Sequence, residues 1–176
     1  MFSFATSGGF ASGNSSIALG GLDNDWGNYP CNQSTNENST TIGGVGNKAD
    51  GFSSFATGFW TKASSYGSVA LGSLNVGGGI APNNWLESDP LFEVGNGSAP
   101  RGGQEPPSTT RSNAITTLKN GQTTLTNKAW KADPNVAPTE DNSYGRALVV
   151  EGNTVLNGNV TIAVPQGDIS MGIYGN

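Results

Sequence analysis

The sequence predicts an all-β protein: a solenoid of short stacked strands, then a connector, then a second β-rich module. Three observations carry that prediction. Gly, Ser, Thr and Asn supply nearly half of the 176 residues, with 27 Gly, while hydrophobic residues supply only 34%, against about 45–50% in ordinary globular domains. Alanines recur every seven residues at Ala49, Ala56, Ala63 and Ala70, and again at Ala11 and Ala18. Segments built on Ser-x-Ala-x-Gly recur fourteen residues apart. Such a composition disfavours helix, because Gly costs about 1 kcal/mol relative to Ala inside one and Ser, Thr and Asn compete for its backbone partners. It also argues against a single large apolar core.

Taken in order, the strand signals are Ser16-Ile17-Ala18-Leu19-Gly20, a weaker copy at Ser39-Thr40-Thr41-Ile42-Gly43, and the pair Ser54-Phe55-Ala56-Thr57-Gly58 and Ser68-Val69-Ala70-Leu71-Gly72. Half-units fall between them at Ala11-Ser12-Gly13, Ala49-Asp50-Gly51 and Ala63-Ser64-Ser65. A period of seven could signal a coiled coil, but no Leu or Ile seam accompanies it. In a strand, Ser16, Ala18 and Gly20 share one face and Ile17 and Leu19 the other. The small side suits the tight interior of a solenoid. The aliphatic side would form a continuous exposed stripe, so burial against identical chains is expected, with Ile17, Leu19, Ile42, Phe55, Val69 and Leu71 at the interface between chains.

The repeats of residues 3–78 resemble the head repeats of YadA-like trimeric autotransporter adhesins. The resemblance implies a left-handed parallel β-roll with three chains around one axis, and binding to a host matrix or cell-surface ligand. Residues 21–38 interrupt the register, and no membrane-anchoring β-barrel or coiled-coil stalk is read after the repeats.

The expected organisation is a head over 1–79 with an insertion at 21–38, a connector over 80–110, and a β-rich fibre module over 111–176. Five prolines and Gly102-Gly103 mark the connector, which holds one short strand at Leu91-Phe92-Glu93-Val94. Beyond it, Asn113 to Leu118 and Gln122 to Leu125 flank Asn120-Gly121, a strand-turn-strand signal. Arg146 to Ile162 reads as a further ladder of short strands separated by Gly turns. This half is similar to modules of bacteriophage tail fibres and related surface fibres, and no self-cleaving chaperone domain of the kind such fibres carry is visible.

Chemistry is sparse. With no His, one cysteine (Cys31) and no GxSxG, HExxH, CxxC or Walker-type lysine, the usual nucleophile-base pairs cannot be assembled and the commonest metal ligand is missing. The chain is therefore expected to be no enzyme and to carry no cofactor or metal. Gly44 to Ala49 matches a loose dinucleotide fingerprint, but sits inside the repeat without a following helix. Glu140-Asp141 reads as solvated surface rather than a hydrolytic pair, and Gly20 to Asp25 lacks the partner turns of a calcium repeat. Asp23, Asp25, Trp26 and Tyr29 in the insertion, with Phe59 and Trp60 at a repeat turn, combine aromatic faces with acids. They are candidates for ligand contact or for packing. Trp85 and Trp130 read as packing between modules.

A net charge of −5 supplies no basic footprint for nucleic acid. The longest aliphatic run, Ala147 to Val150, falls far short of the roughly 20 residues that span a bilayer, so no membrane insertion is expected, and no export signal is readable at the N-terminus. The expected function is attachment: a homotrimeric extracellular fibre segment, on a cell surface or at a virion or tail-fibre tip, binding a host-surface glycan or protein receptor. The alternatives are a phage or contractile-injection tail fibre, a solenoid glycan-active enzyme, and a plain spacer.

Overall fold

Seven-residue spacing of small side chains becomes, in space, alternation between two parallel sheets. The computed structural model describes residues 2–6, 8–21, 31–99 and 105–126. The chain runs through β1 (Phe4–Thr6), β2 (Phe10–Ala11), β3 (Ile17–Leu19), β4 (Gln33–Ser34), β5 (Thr40–Ile42), β6 (Lys48–Ala49), β7 (Phe55–Phe59), β8 (Lys62–Ala63) and β9 (Val69–Ser73). The odd-numbered strands stack in parallel in one sheet and the even-numbered in another. β10 (Pro90–Asn96) joins the first sheet parallel to β9, and β11 (Asn113–Leu118) and β12 (Thr123–Leu125) extend it antiparallel, giving eight strands against four. Among the described residues no helix is long and apolar enough to cross a membrane.

The space between the sheets is filled by side chains of one to three heavy atoms. Ala18, Ala56 and Ala70 point in from the large sheet and Ala49 and Ala63 from the small one, all essentially inaccessible. Where the repeat replaces Ala, Ser34 and Thr41 take the places and satisfy each other: their hydroxyls lie 3.0 Å apart, and Ser34 Oγ donates to the Ile17 carbonyl at 2.6 Å. The coil thus gains little from side-chain burial and much from its backbone ladder.

Its two edges obey different rules. From the small sheet to the large, Phe10 to Ile17, Gln33 to Thr40, Lys48 to Phe55 and Lys62 to Val69 are each seven residues. Each of these turns has a left-handed residue at the same place, Ser15 (φ 56), Asn38 (φ 54), Ser53 (φ 53) and Gly67 (φ 62). The serine that follows at 16, 39 or 68 folds its hydroxyl back onto the carbonyl three residues earlier, at 2.6–2.7 Å. From the large sheet to the small, the steps Phe4 to Phe10, Ile17 to Gln33, Thr40 to Lys48 and Phe55 to Lys62 are six, sixteen, eight and seven residues. Only this second edge varies.

A buried amide ladder holds the variable edge. The Asn32 side chain donates to the Leu19 and Gly43 carbonyls at 3.1 and 2.8 Å, and its Oδ1 accepts from the Asn47 backbone at 3.0 Å. One turn on, Asn47 donates to the Gly43 and Gly58 carbonyls at 2.8 and 2.9 Å and accepts from Thr61 N and Oγ1 at 3.1 and 2.7 Å. Asn75 does the same for Lys62, accepting from its N at 2.8 Å and donating to its carbonyl at 2.8 Å. Buried amides bonded on both sides close the backbone groups that the turns leave open.

Three expectations need correction. The interruption is shorter than residues 21–38, because Asn32 to Ser39 already form a regular half-turn that contains β4. The connector of 80–110 is not a linker between modules. Residues 81–83 run as a strap across three turns of the coil, with Tyr66 N donating to Ala81 O (3.2 Å), Phe52 N to Pro82 O (2.8 Å) and Asn36 Nδ2 to Asn83 Oδ1 (2.7 Å). Pro90 then opens β10, a position where a strand tolerates proline's missing N–H. The hairpin expected at 113–125 exists as β11 and β12, but continues the large sheet instead of founding a separate module. The ladder expected at 146–162, with Trp130, Glu140 and Asp141, lies outside the described residues.

Candidate functional site

The outer face of the large sheet carries two columns of side chains in register. One runs Phe4, Ile17, Thr40, Phe55, Val69, Phe92 and the other includes Leu19, Ile42, Leu71, Val94, Ile115 and Leu125. All six residues expected at the interface between chains lie on this face. Ile17 and Ile42 are 37% and 42% exposed, and Leu19, Phe55, Val69 and Leu71 are part-buried by their neighbours along the column. On the opposite side, the small sheet presents Gln33, Lys48 and Lys62 outward, with Lys48 paired to Asp50 (3.2 Å) and Lys62 to Glu105. The first face is mainly apolar, and the second is polar except for Phe10, which shares the column of Gln33, Lys48 and Lys62 and is exposed.

The coil is closed at β10 by ionisable groups. Glu93 stands in register with Ala70, where every earlier turn has a small residue, and is nearly inaccessible. Asn75 and Asn113 donate to its two carboxylate oxygens at 2.5 and 2.7 Å, joined by the Gly77 and Gly78 backbones. Burial pushes its pKa up, and these donors pull against that shift. Arg111, also buried, donates through Nη1 to the Trp60 and Asn75 carbonyls at 2.8 and 2.9 Å and faces Glu105 at 3.4 Å. Lys62, more than Arg111, holds the Glu105 carboxyl below its usual range.

Of the residues singled out as ligand contacts, Asp23, Asp25, Trp26 and Tyr29 lie outside the described residues. Phe59 and Trp60 lie on the variable edge, in the step from β7 to β8. Phe59 is part-exposed at the end of β7. Trp60 is not a surface platform. Its left-handed backbone (φ 54) turns the indole inward, leaving it 3% exposed. It lies where a Cβ on Gly46 would come within 2.7 Å of the ring. Leu74 repeats this conformation one turn later (φ 46) and is fully buried.

The regular edge carries a group that the sequence did not suggest. Phe52 and Tyr66 occupy equivalent places in successive turns and stack in parallel, with centroids 5.2 Å apart. Lys119, at the end of the β11–β12 unit, brings its ammonium over Tyr66 (6.0 Å) and over Trp85 of the strap (5.4 Å). Lys119 is 8% exposed, its Nζ has no hydrogen-bond partner among the described residues, and burial pushes its pKa down while Asp89 opposes that. Trp85 itself, expected to pack between modules, is 55% exposed. A lysine 34 residues from the tryptophan it faces leaves no local pattern to read.

No protein-family model, no curated protein and no solved structure matches the chain.

Proposed function

We propose that this chain is a segment of a homotrimeric extracellular fibre whose work is attachment to a host-surface glycan or protein receptor, and not catalysis. One observation carries the reading: a coil whose interior is Ala, Ser and Thr turns outward a face dominated by Ile, Leu, Val and Phe, with Thr40 and Thr57 among them. Burying an apolar side chain completely from full exposure contributes roughly 1.5–3 kcal/mol, so covering Ile17, Leu19, Ile42, Phe55, Val69 and Leu71, which are half-buried or exposed, with copies of the same chain would stabilise the assembly. The threefold arrangement, the left-handed β-roll and the matrix or cell-surface ligand come from the resemblance of residues 3–78 to YadA-like adhesin heads. The variable edge then displays loops in triplicate, and weak contacts add through effective concentration. Nucleic acid and membrane insertion have no part in this reading.

A tail-fibre reading, phage or contractile-injection, is favoured by the β11–β12 hairpin with its Asn120-Gly121 turn, which lengthens the sheet as fibre modules do. Both readings require the trimer. Native mass spectrometry of the full chain across a dilution series tests them together: a trimer that persists to submicromolar concentration is expected, and a well-ordered monomer throughout overturns both.

A further inference from the structure

Four of the nine exposed large apolar side chains among the described residues, Phe4, Ile17, Ile42 and Leu125, belong to the outer face of the large sheet. Trp85 does not. It sits on the strap at the regular edge, and the strap is pinned from both ends. The Asp89 carboxylate accepts from Ile80 N (3.2 Å) and Ala81 N (3.0 Å), Lys119 N donates to Asp89 O (3.0 Å), and Asn120 N donates to Glu87 O (3.1 Å). An indole half open to water on a surface loop is ordinarily mobile. This one has a cation over its ring and a backbone fixed on either side.

Lys119 sharpens the point. A buried ammonium without a hydrogen-bond partner is a costly group. Among the described residues, Lys48, Lys62 and Arg111 each have a carboxylate within 4.0 Å, and Lys119 has none. Its contacts are the faces of Tyr66 and Trp85, an arrangement that orients the indole and leaves much of it accessible. Around Trp85 the chain offers Asn83, Asn84, Glu87 and Ser88, all exposed. The exposed indole thus has amide, hydroxyl and carboxylate groups beside it in the chain, with Leu86 half-buried and Ile80 exposed on the same segment.

We propose that the exposed surface of Trp85 is a stacking platform for a pyranose ring of a surface polysaccharide, with Lys119 as the positioning residue behind it. A sugar matches the two parts of the site: its axial C–H face lies on the indole, and its hydroxyls exchange hydrogen bonds with the polar groups beside it. The assignment deepens the attachment reading and rests on it for its biological meaning, while binding at Trp85 itself requires no trimer.

Saturation-transfer NMR of the full chain with soluble oligomers of glucose, galactose, N-acetylglucosamine and glucuronic acid tests it. Transfer to ring C–H protons of at least one oligomer is expected. Trp85→Ala should weaken that binding about tenfold or more, with Trp85→Tyr keeping part of it. Lys119→Met should weaken it about three- to thirty-fold, and Lys119→Arg should restore it. No transfer from any oligomer, or equal binding by Trp85→Ala and the parent, overturns the proposal. So does Trp85-dependent adhesion to cells that survives enzymatic removal of their glycans, which would indicate a protein partner. Failure of the two readings is separable. Cell attachment that ignores Trp85→Ala sinks the platform alone, and sugar binding without any cell attachment sinks the attachment reading alone.

Discussion

Gly51, Gly58 and Gly67 separate two reasons for a coil of this kind to be rich in glycine. Gly67 has a left-handed backbone (φ 62) but open space where a Cβ would go. Gly51 has no positive φ, but its Cβ would fall far inside the 3.0 Å that real Cβ atoms respect, against the backbone carbonyl of Ser65 in the next turn. Gly58 combines both, with φ 127 and the Gly72 carbonyl in the way. Gly67→Ala should therefore cost about 1 kcal/mol, the left-handed penalty less the entropy that Ala removes from the unfolded chain. Gly51→Ala forces two turns apart and stretches the bonds of Asp50 N and Gly51 N to Ala63 O, each 3.1 Å. About 3 kcal/mol or more is expected, because no flexible side chain can yield. Gly58→Ala should cost most, about 4–5 kcal/mol. The assay is urea unfolding followed by Trp fluorescence, all variants at one protein concentration because assembly would shift the midpoint. If Gly51→Ala proves no worse than Gly67→Ala, close approach between turns is not what sets the glycine content.

Leu71→Glu places a charge in the middle of the aliphatic face, and should convert the assembly to monomer by native mass at concentrations where the parent is trimeric, while Lys48→Glu on the polar face should not. Asn47→Asp removes the donor to the Gly43 and Gly58 carbonyls and sets a carboxylate against them, so it should destabilise more than Asn47→Ala, itself about 2–3 kcal/mol, as read by thermal unfolding. Glu93 has a pKa raised by burial, so the stability linked to it is fully present below the ordinary carboxylate range and is lost as pH rises through its folded value. Glu93→Gln lacks that loss. Its stability relative to the parent should improve between pH 4 and pH 7 in paired urea titrations, and a constant difference would refute the assignment.

The interior and outer face of the coil were legible because strand alternation acts within five residues: Ser16 to Gly20 and Ser68 to Gly72 state which side chains point in. The turn lengths were harder. Gln33-Ser34 passed for part of an insertion because Ser stands where the repeat has Ala, and the extra residue between Thr40 and Lys48 hides the kinship of Asn32, Asn47 and Asn75, already masked by Thr61 between them. Trp60 misled for a physical reason, since aromatic residues at turns usually face outward and only the left-handed φ turns this one in. Glu93 and Lys119 owe their environments to strands and straps far away in sequence, which a local pattern does not encode. Pro82 stands in irregular chain that lies against the coil, while Pro90 opens a regular strand, a difference that proline content alone does not encode.

The unequal edges divide labour in the chain. Rise per turn is fixed where every step is seven residues with a left-handed residue at a constant place, and the steps of six, sixteen, eight and seven on the other side leave strand stacking in register. A protein made this way can be rewritten on one flank without retuning the other. Foreign peptides spliced between Gly43 and Gly46, or in place of the stretch after Gly21, should ride on an unchanged scaffold, whereas a single added residue between Ala49 and Ser54 should throw every later strand out of step.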